Sequence, residues 1–222
     1  MKKTLIATII TIGLIGVNTC VYATKEMPNM NNMHDVTTLP GYKAAISLDK
    51  TMRNLWADYV IYTRDYIVSS LNDLPNSDAV YKKLLKNQDD IAKAIKPYYG
   101  DKGEKKLAKL LHDQTIIMTD LVKAAKQGND NLIHEAQQKW NKNADAIANF
   151  LNETNPNWKK KDLTDMLYKY IDLTTNEVTS FLKKNWEDNI NFYDKVRAQI
   201  LNFADTLADG IVKQFPEKFS KK

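Results

Sequence analysis

The chain is poor in cysteine, glycine, proline, histidine and arginine, and each shortage removes a class of protein. Cys20 is the only cysteine in 222 residues. It lies in an N-terminal segment with the order of a secretory signal. Lys2 and Lys3 precede an apolar run from Leu5 to Val17, and Val21-Tyr22-Ala23 then supplies the small or apolar residues of a cleavage site. The run is shorter than the roughly 20 residues of a membrane span. Residues 1–23 are therefore expected to be a signal peptide cleaved after Ala23, leaving a secreted or extracytoplasmic chain with no transmembrane span. Lipidation of Cys20 would need a small residue before it, and Thr19 fits that poorly. Once Cys20 is removed, the mature protein has no disulfide, no thiolate metal site and no thiol nucleophile.

Seven glycines and six prolines are too few for a turn-rich all-β chain, and no glycine-rich phosphate loop is present. Arginine occurs only at Arg53, Arg64 and Arg197, and acids are spread among the many lysines. That pattern is a solvated surface and not a nucleic-acid stripe. The three histidines, His34, His112 and His134, form no ligand pair at helical spacing. No Glu-x-x-His, His-Glu-x-x-His or haem-attachment motif occurs, and no serine stands in a nucleophile elbow. Paired carboxylates such as Asp89-Asp90 point to different sides of a helix and make poor acid–base partners.

What the chain does have is helical period. Leu48, Met52, Leu55, Tyr59, Tyr62 and Tyr66 recur at three- and four-residue steps, as do Leu107, Leu110, Leu111, Met118 and Leu121, and then Leu163, Leu167, Tyr170 and Leu173. Breakers divide the run at Leu74-Pro75-Asn76-Ser77, Pro97 to Gly103, Gln127-Gly128-Asn129-Asp130, Asn155-Pro156-Asn157, Asn185 and Pro216. Asp101 with Glu104 spells a capping box after the second break. The spacing predicts an all-α fold: an antiparallel bundle of about six long helices, built from three repeated helical hairpins. Residues 24–43 are expected to be a flexible Met/Asn-rich tether, 44–216 a single helical-bundle domain and 217–222 a C-terminal tail.

The repeat is carried by NQDDIA (Asn87 to Ala92), NADAIA (Asn143 to Ala148) and FADTLA (Phe203 to Ala208), each with a proline after it at Pro97, Pro156 or Pro216. The stretches from Leu55, Leu110 and Met166 align in the same way. At 100° per residue, Asp89, Asp145 and Asp205 flank the buried stripe of their helices. An acid buried there without a partner would cost several kcal/mol, of order 2–7, or become protonated. Arg64 has a comparable flanking position, so an Arg64–Asp pair is expected. The packing reading makes these acids edge residues, and the geometry favours it. The functional reading makes Arg64, Asp89, Asp145 and Asp205 a ligand-binding or catalytic group.

Two further features bear on chemistry. Within the tether, Met27, Met30, Met33 and His34 place three thioethers and an imidazole at regular spacing, a set suited to a soft ion such as Cu(I). No other cofactor is indicated. Trp56, Tyr59, Tyr62, Tyr66, Trp140, Tyr168 and Tyr170 fall on or near apolar stripes, where they serve the core or line a pocket. Tyr98-Tyr99-Gly100-Asp101 and Trp158 are expected to pin the connections between hairpins.

At Leu55-Trp56, Thr63-Arg64, Pro97-Tyr98-Tyr99-Gly100-Asp101 and Asn143-Ala144-Asp145 the chain resembles a poorly characterised group of secreted, all-helical bacterial proteins. Members carry labels such as acetylglutamate kinase and glycosyltransferase. In that group a histidine often stands at the place of Tyr59, with others in the later hairpins. The matching places here hold Tyr59, Gln114 and Tyr170, so the resemblance marks these as ligand-binding positions without supplying an imidazole. The kinase label conflicts with a chain that has neither alternating strands nor ATP-binding glycine loops. Three functions follow as expectations: a secreted or cell-surface bundle that binds a protein, glycan or small ligand or serves a structural role; an extracytoplasmic metal-binding protein using the tether; or an enzyme of unrecognised type, which would need Arg64 and the three aspartates to converge.

Overall fold

The computed structural model describes residues 40–220. It is all-helical: α1 (Pro40–Leu71), α2 (Ser77–Lys126), α3 (Asp130–Thr154), α4 (Lys160–Leu182), α5 (Trp186–Gln214) and the single turn α6 (Pro216–Phe219). No strand occurs among the described residues, and none of their helices is long and apolar enough to cross a membrane. The first helix begins at Pro40, a few residues inside the expected tether. Much of the expected tail belongs to α6.

Left-handed residues stop α1, α2 and α4, while α3 ends in extended backbone at Asn155 and α5 at the non-helical Phe215. Asp73, Gly128 and Lys184 have φ of 53°, 64° and 57°. After each, the next N–H donates to the carbonyl five residues back: Leu74 to Ser69 at 2.9 Å, Asn129 to Ala124 at 3.1 Å, Asn185 to Ser180 at 3.0 Å. This is the Schellman arrangement, which satisfies carbonyls that a helix terminus would otherwise leave open. At the last two of these junctions the new helix starts at a side-chain cap, whereas Asn76 before α2 makes no such bond. Asn129 Oδ1 accepts from the Leu132 N–H at 3.1 Å and Asn185 Oδ1 from the Asp188 N–H at 3.3 Å.

The break expected from Pro97 to Gly103 divides α2 into two helical arms that meet at a kink. Only Gly100 leaves helical geometry, at φ 66° and ψ −173°, and helix resumes directly beyond it. Proline removes one backbone donor, and glycine alone adopts that φ cheaply, so the first arm stops here and a second arm starts in a new direction. Asp101 and Glu104 do not form the expected capping box. Both hold Lys96, at 2.6 and 3.0 Å.

Each long helix packs against the next, and α5 also packs against α1, so the order of contacts closes on itself. The core between them is continuous, with Trp56, Tyr59, Trp140, Trp158, Tyr170 and Phe203 among its largest fully buried side chains. Burying a large apolar side chain contributes roughly 1.5–3 kcal/mol, which replaces the cross-links this chain lacks. Three amides tie side chains to facing backbone. Asn87 Nδ2 donates to the Leu55 carbonyl at 2.9 Å, Asn143 Nδ2 to the Leu110 carbonyl at 3.1 Å, and Gln199 Nε2 to the Met166 carbonyl at 3.0 Å.

Candidate functional site

Tyr59 from α1, Gln114 from α2 and Tyr170 from α4 meet in the middle of the core. The two phenol oxygens are 2.7 Å apart, and Gln114 Nε2 donates to the Tyr59 oxygen at 2.7 Å. All three residues are buried. Trp56 stands edge-on to Tyr59 at 5.6 Å, and Trp140 edge-on to Tyr170 at 5.7 Å. Burial is the main cause that pushes both phenols above their ordinary value of 10, so they stay neutral through the physiological range. The structure thus unites the three positions expected to bind a ligand. What it makes of them is a closed, uncharged hydrogen-bonded layer whose members satisfy one another. A second polar contact, Gln88 Nε2 donating to Thr115 Oγ1, is also buried.

Arg64 takes a partner that the sequence reading did not name. Its Nη1 donates to Glu177 Oε1 at 2.6 Å and its Nη2 to Asn189 Oδ1 at 2.6 Å. The guanidinium also lies 4.7 Å from the centre of the Tyr193 ring. Asn189 Nδ2 in turn donates to the Glu177 carbonyl at 2.7 Å. The Glu177 carboxyl is raised above its ordinary value, first by burial, while Arg64 pulls it the other way. Glu177 follows Tyr170, Leu173 and Thr174 at helical steps. That position on the buried stripe was the available sign that its carboxylate would need a cation.

The three aspartates stay apart. Asp205 accepts from Arg53 Nη1 at 2.6 Å, Asp145 accepts from the Tyr168 hydroxyl at 3.1 Å, and Asp89 lies 3.0 Å from His112 Nε2 without hydrogen-bond alignment. Each pair joins two different helices, α1 with α5, α3 with α4, and the two arms of α2. Among the described residues no hydrogen bond or ion pair links one aspartate to another or to Arg64. Each of the four therefore lies against a different partner: Asp89 against His112, Asp145 against Tyr168, Asp205 against Arg53 and Arg64 against Glu177. Desolvation, then Asp145, raises the Tyr168 phenol. Met27, Met30, Met33 and His34 lie outside the described residues. Within the described residues, no group of three or more His, Cys, Asp and Glu side chains is placed to hold a metal ion.

A site that the sequence reading missed lies between the second arm of α2 and the end of α3. It is a cleft of about 710 Å³ with Tyr99, Gly103 and Phe150 in its lining, bordered by Lys102, Lys105, Lys106 and Lys109 and by the single acid Glu153. The lysines follow one another at three- and four-residue steps, which puts them on one helical face. Leu107, Leu110 and Leu111 from the same stretch point into the core. The signal was thus present in the sequence, but a lysine face without a visible floor reads as ordinary solvated surface. Lys109 pairs with Asp113 at 2.6 Å. Lys102, Lys105 and Lys106 form no ion pair with a described residue. A volume in this range, apolar within and charged at the rim, is typical of small-molecule sites.

No family model matches this chain, and neither the curated proteins nor the solved structures include a significant match to it.

Proposed function

We propose that this chain is an exported helical binding protein that takes an anionic ligand in the lysine-bordered cleft between α2 and α3. The observation that carries the reading is the cleft itself. Lys102, Lys105, Lys106 and Lys109 stand around an apolar floor and only Glu153 opposes them. A concentration of one charge beside low-dielectric surface attracts and holds the opposite charge. In the interior, by contrast, Tyr59, Gln114 and Tyr170 bond to one another, and the unpartnered polar atoms near them, such as Trp56 Nε1 and Trp140 Nε1, are scattered singly through a closed core. The N-terminal signal and the likeness to secreted helical proteins support export.

In this reading the scaffold is an antiparallel bundle of three repeated hairpins, with the elbow at Gly100 joining the first to the second. Two sets of features favour it. The left-handed caps fall at Asp73, Gly128 and Lys184, at nearly even spacing. The amide-to-carbonyl bonds join residues 32, 33 and 33 positions apart. The amide of Gln199 stands one helical turn before Phe203, where the FADTLA motif would put it. The third copy is thus offset by a turn, and its acid meets Arg53 in place of a partner at Ala57.

The test is titration of the mature chain, beginning at Thr24, with the fluorescent anion anilinonaphthalene sulfonate. Saturable binding is expected, weakened at least tenfold by the double change Lys105→Glu with Lys106→Glu. The same charge reversal at Lys139 and Lys142 should leave it unaltered. Equal loss from both pairs would mean that overall charge and not the cleft is responsible, and the reading would fall.

A second reading rests on the tether, where Met27, Met30, Met33 and His34 form a soft-donor set. Replacement of the three methionines by leucine is expected to abolish Cu(I) binding by the mature chain. An unchanged Cu(I) affinity would remove this reading.

A further inference from the structure

Taking the binding role of the α2–α3 cleft as its premise, we infer that the ligand is a single-chain amphiphile: an unbranched aliphatic tail on a carboxylate or similar anionic head. The argument comes from the hydrogen bonds of the floor. The Tyr99 hydroxyl donates to Gln214 Oε1 at 2.8 Å and accepts from Asn155 Nδ2 at 3.0 Å. The Thr154 hydroxyl donates to the Phe150 carbonyl at 2.6 Å, and the Thr154 carbonyl accepts from Gln214 Nε2 at 3.0 Å. The polar groups that these residues bring to the cleft are therefore already engaged with protein partners.

A sugar or a peptide backbone buried against such a floor would lose its water and find few replacements, at a cost for each unpaired group. A hydrocarbon tail loses nothing there. It gains contact with the Phe150 and Tyr99 rings, Tyr99 being seated tightly over Gly103. The head group is decided at the rim. Lys102, Lys105 and Lys106 are exposed and uncommitted, and a lysine stem can lie along a tail while its ammonium meets the head in water. An anionic head is attracted by the excess of lysines over Glu153; a neutral head leaves the ammonium groups unanswered. A concave cleft favours a free amphiphile over the flat surface of a bilayer.

The experiment measures binding of monomeric octanoate, decanoate and dodecanoate, of dodecanol, and of phosphatidylglycerol vesicles to the mature chain. Affinity should rise about twofold to fourfold per added methylene, as expected for progressive burial of CH₂ groups. Dodecanol should bind at least tenfold more weakly than dodecanoate. Lys105→Glu with Lys106→Glu should weaken dodecanoate at least tenfold and leave dodecanol unchanged, while Glu153→Gln should strengthen dodecanoate twofold to threefold. Affinity independent of chain length, equal binding of the alcohol, or binding to vesicles but not to monomeric acid would overturn the inference. If the fluorescent sulfonate binds at the cleft and dodecanoate neither binds nor displaces it, the ligand class is wrong and the binding role stands. If neither binds, both fall.

Discussion

Tyr59 and Tyr170 face each other hydroxyl to hydroxyl at 2.7 Å, across 111 residues of sequence and inside the most buried part of the molecule. Gln114 completes the layer through its bond to the Tyr59 oxygen. Tyr59→Phe keeps the ring and its contact with Trp56 but leaves the Gln114 amide without its acceptor. An orphaned buried donor costs about 1–3 kcal/mol. Chemical denaturation should show that loss. Gln114→Leu in the Tyr59→Phe background should cost less than the sum of the two single changes, since both partners are then gone. Strict additivity would mean that the bond contributes nothing.

The Arg64–Glu177 pair is asymmetric, with side-chain exposures of 23% and 2%. Arg64→Ala strands a buried carboxylate, and the expected loss is at the low end of about 3–5 kcal/mol because Arg64 keeps some water. Glu177 also sets a pH dependence. Its ordinary value of 4.5 is raised in the folded chain, so the folded state holds the proton more tightly than the unfolded one. Stability attributable to this group is therefore fully present below about 4.5 and falls as pH rises from there through the folded value. Unfolding free energies at pH 4 and pH 7 should show the native chain losing ground to Glu177→Gln between the two. A gain toward pH 7 would reverse the sign assigned here.

Gly210 lies under Trp158. A Cβ built on it would stand 1.9 Å from Trp158 Nε1, and that indole N–H donates to the Thr206 carbonyl at 3.1 Å. Gly210→Ala must push the tryptophan out of its place beside Tyr99, 5.6 Å away. Overpacking of this kind costs about 1–3 kcal/mol. For a chain of this size the melting temperature should fall by about 2–4 °C per kcal/mol, with a red shift in tryptophan emission. An unaltered melting temperature would show that the ring moves freely.

Lys184 occupies a left-handed conformation at φ 57°, which costs a residue with a side chain roughly 1–2 kcal/mol. Lys184→Gly removes that strain and gives back part of it through added freedom in the unfolded chain. The net gain should be about 0.5–1 kcal/mol in denaturant midpoint analysis. Asp73 has the same backbone but is a poorer place for glycine, since its carboxylate lies 2.5 Å from Lys126 Nζ. If Lys184→Gly destabilises the chain, the cap is held by the side chain and not by the backbone.

Much of the helical content was legible because amphipathic period is local. Leu48, Met52, Trp56 and Tyr59 show their common face within a dozen residues, and each is buried. The stop at Gly128 was as readable, since a left-handed glycine acts on its own neighbours, while the one at Asn185 was the weakest signal because the left-handed residue before it is Lys184. The kink after Pro97 was readable for the same reason. Proline and glycine predict a local disturbance, but whether helix resumes beyond it depends on the rings packed at the elbow, where Tyr98 meets Phe215 at 5.6 Å and Phe219 at 5.9 Å.

The sequence by itself determined that this chain is helical, where most of its helices stop, and that Asp89, Asp145 and Asp205 would sit beside buried stripes. Only the tertiary structure decided which groups meet: Arg64 with Glu177 across 113 residues, Arg53 with Asp205 across 152, and the lysines of α2 with the Phe150 floor from α3. The physical reason is range. Backbone hydrogen bonding and side-chain period act over a few residues, whereas an ion pair or a cleft is made by whatever the packing of distant helices brings within a few ångströms.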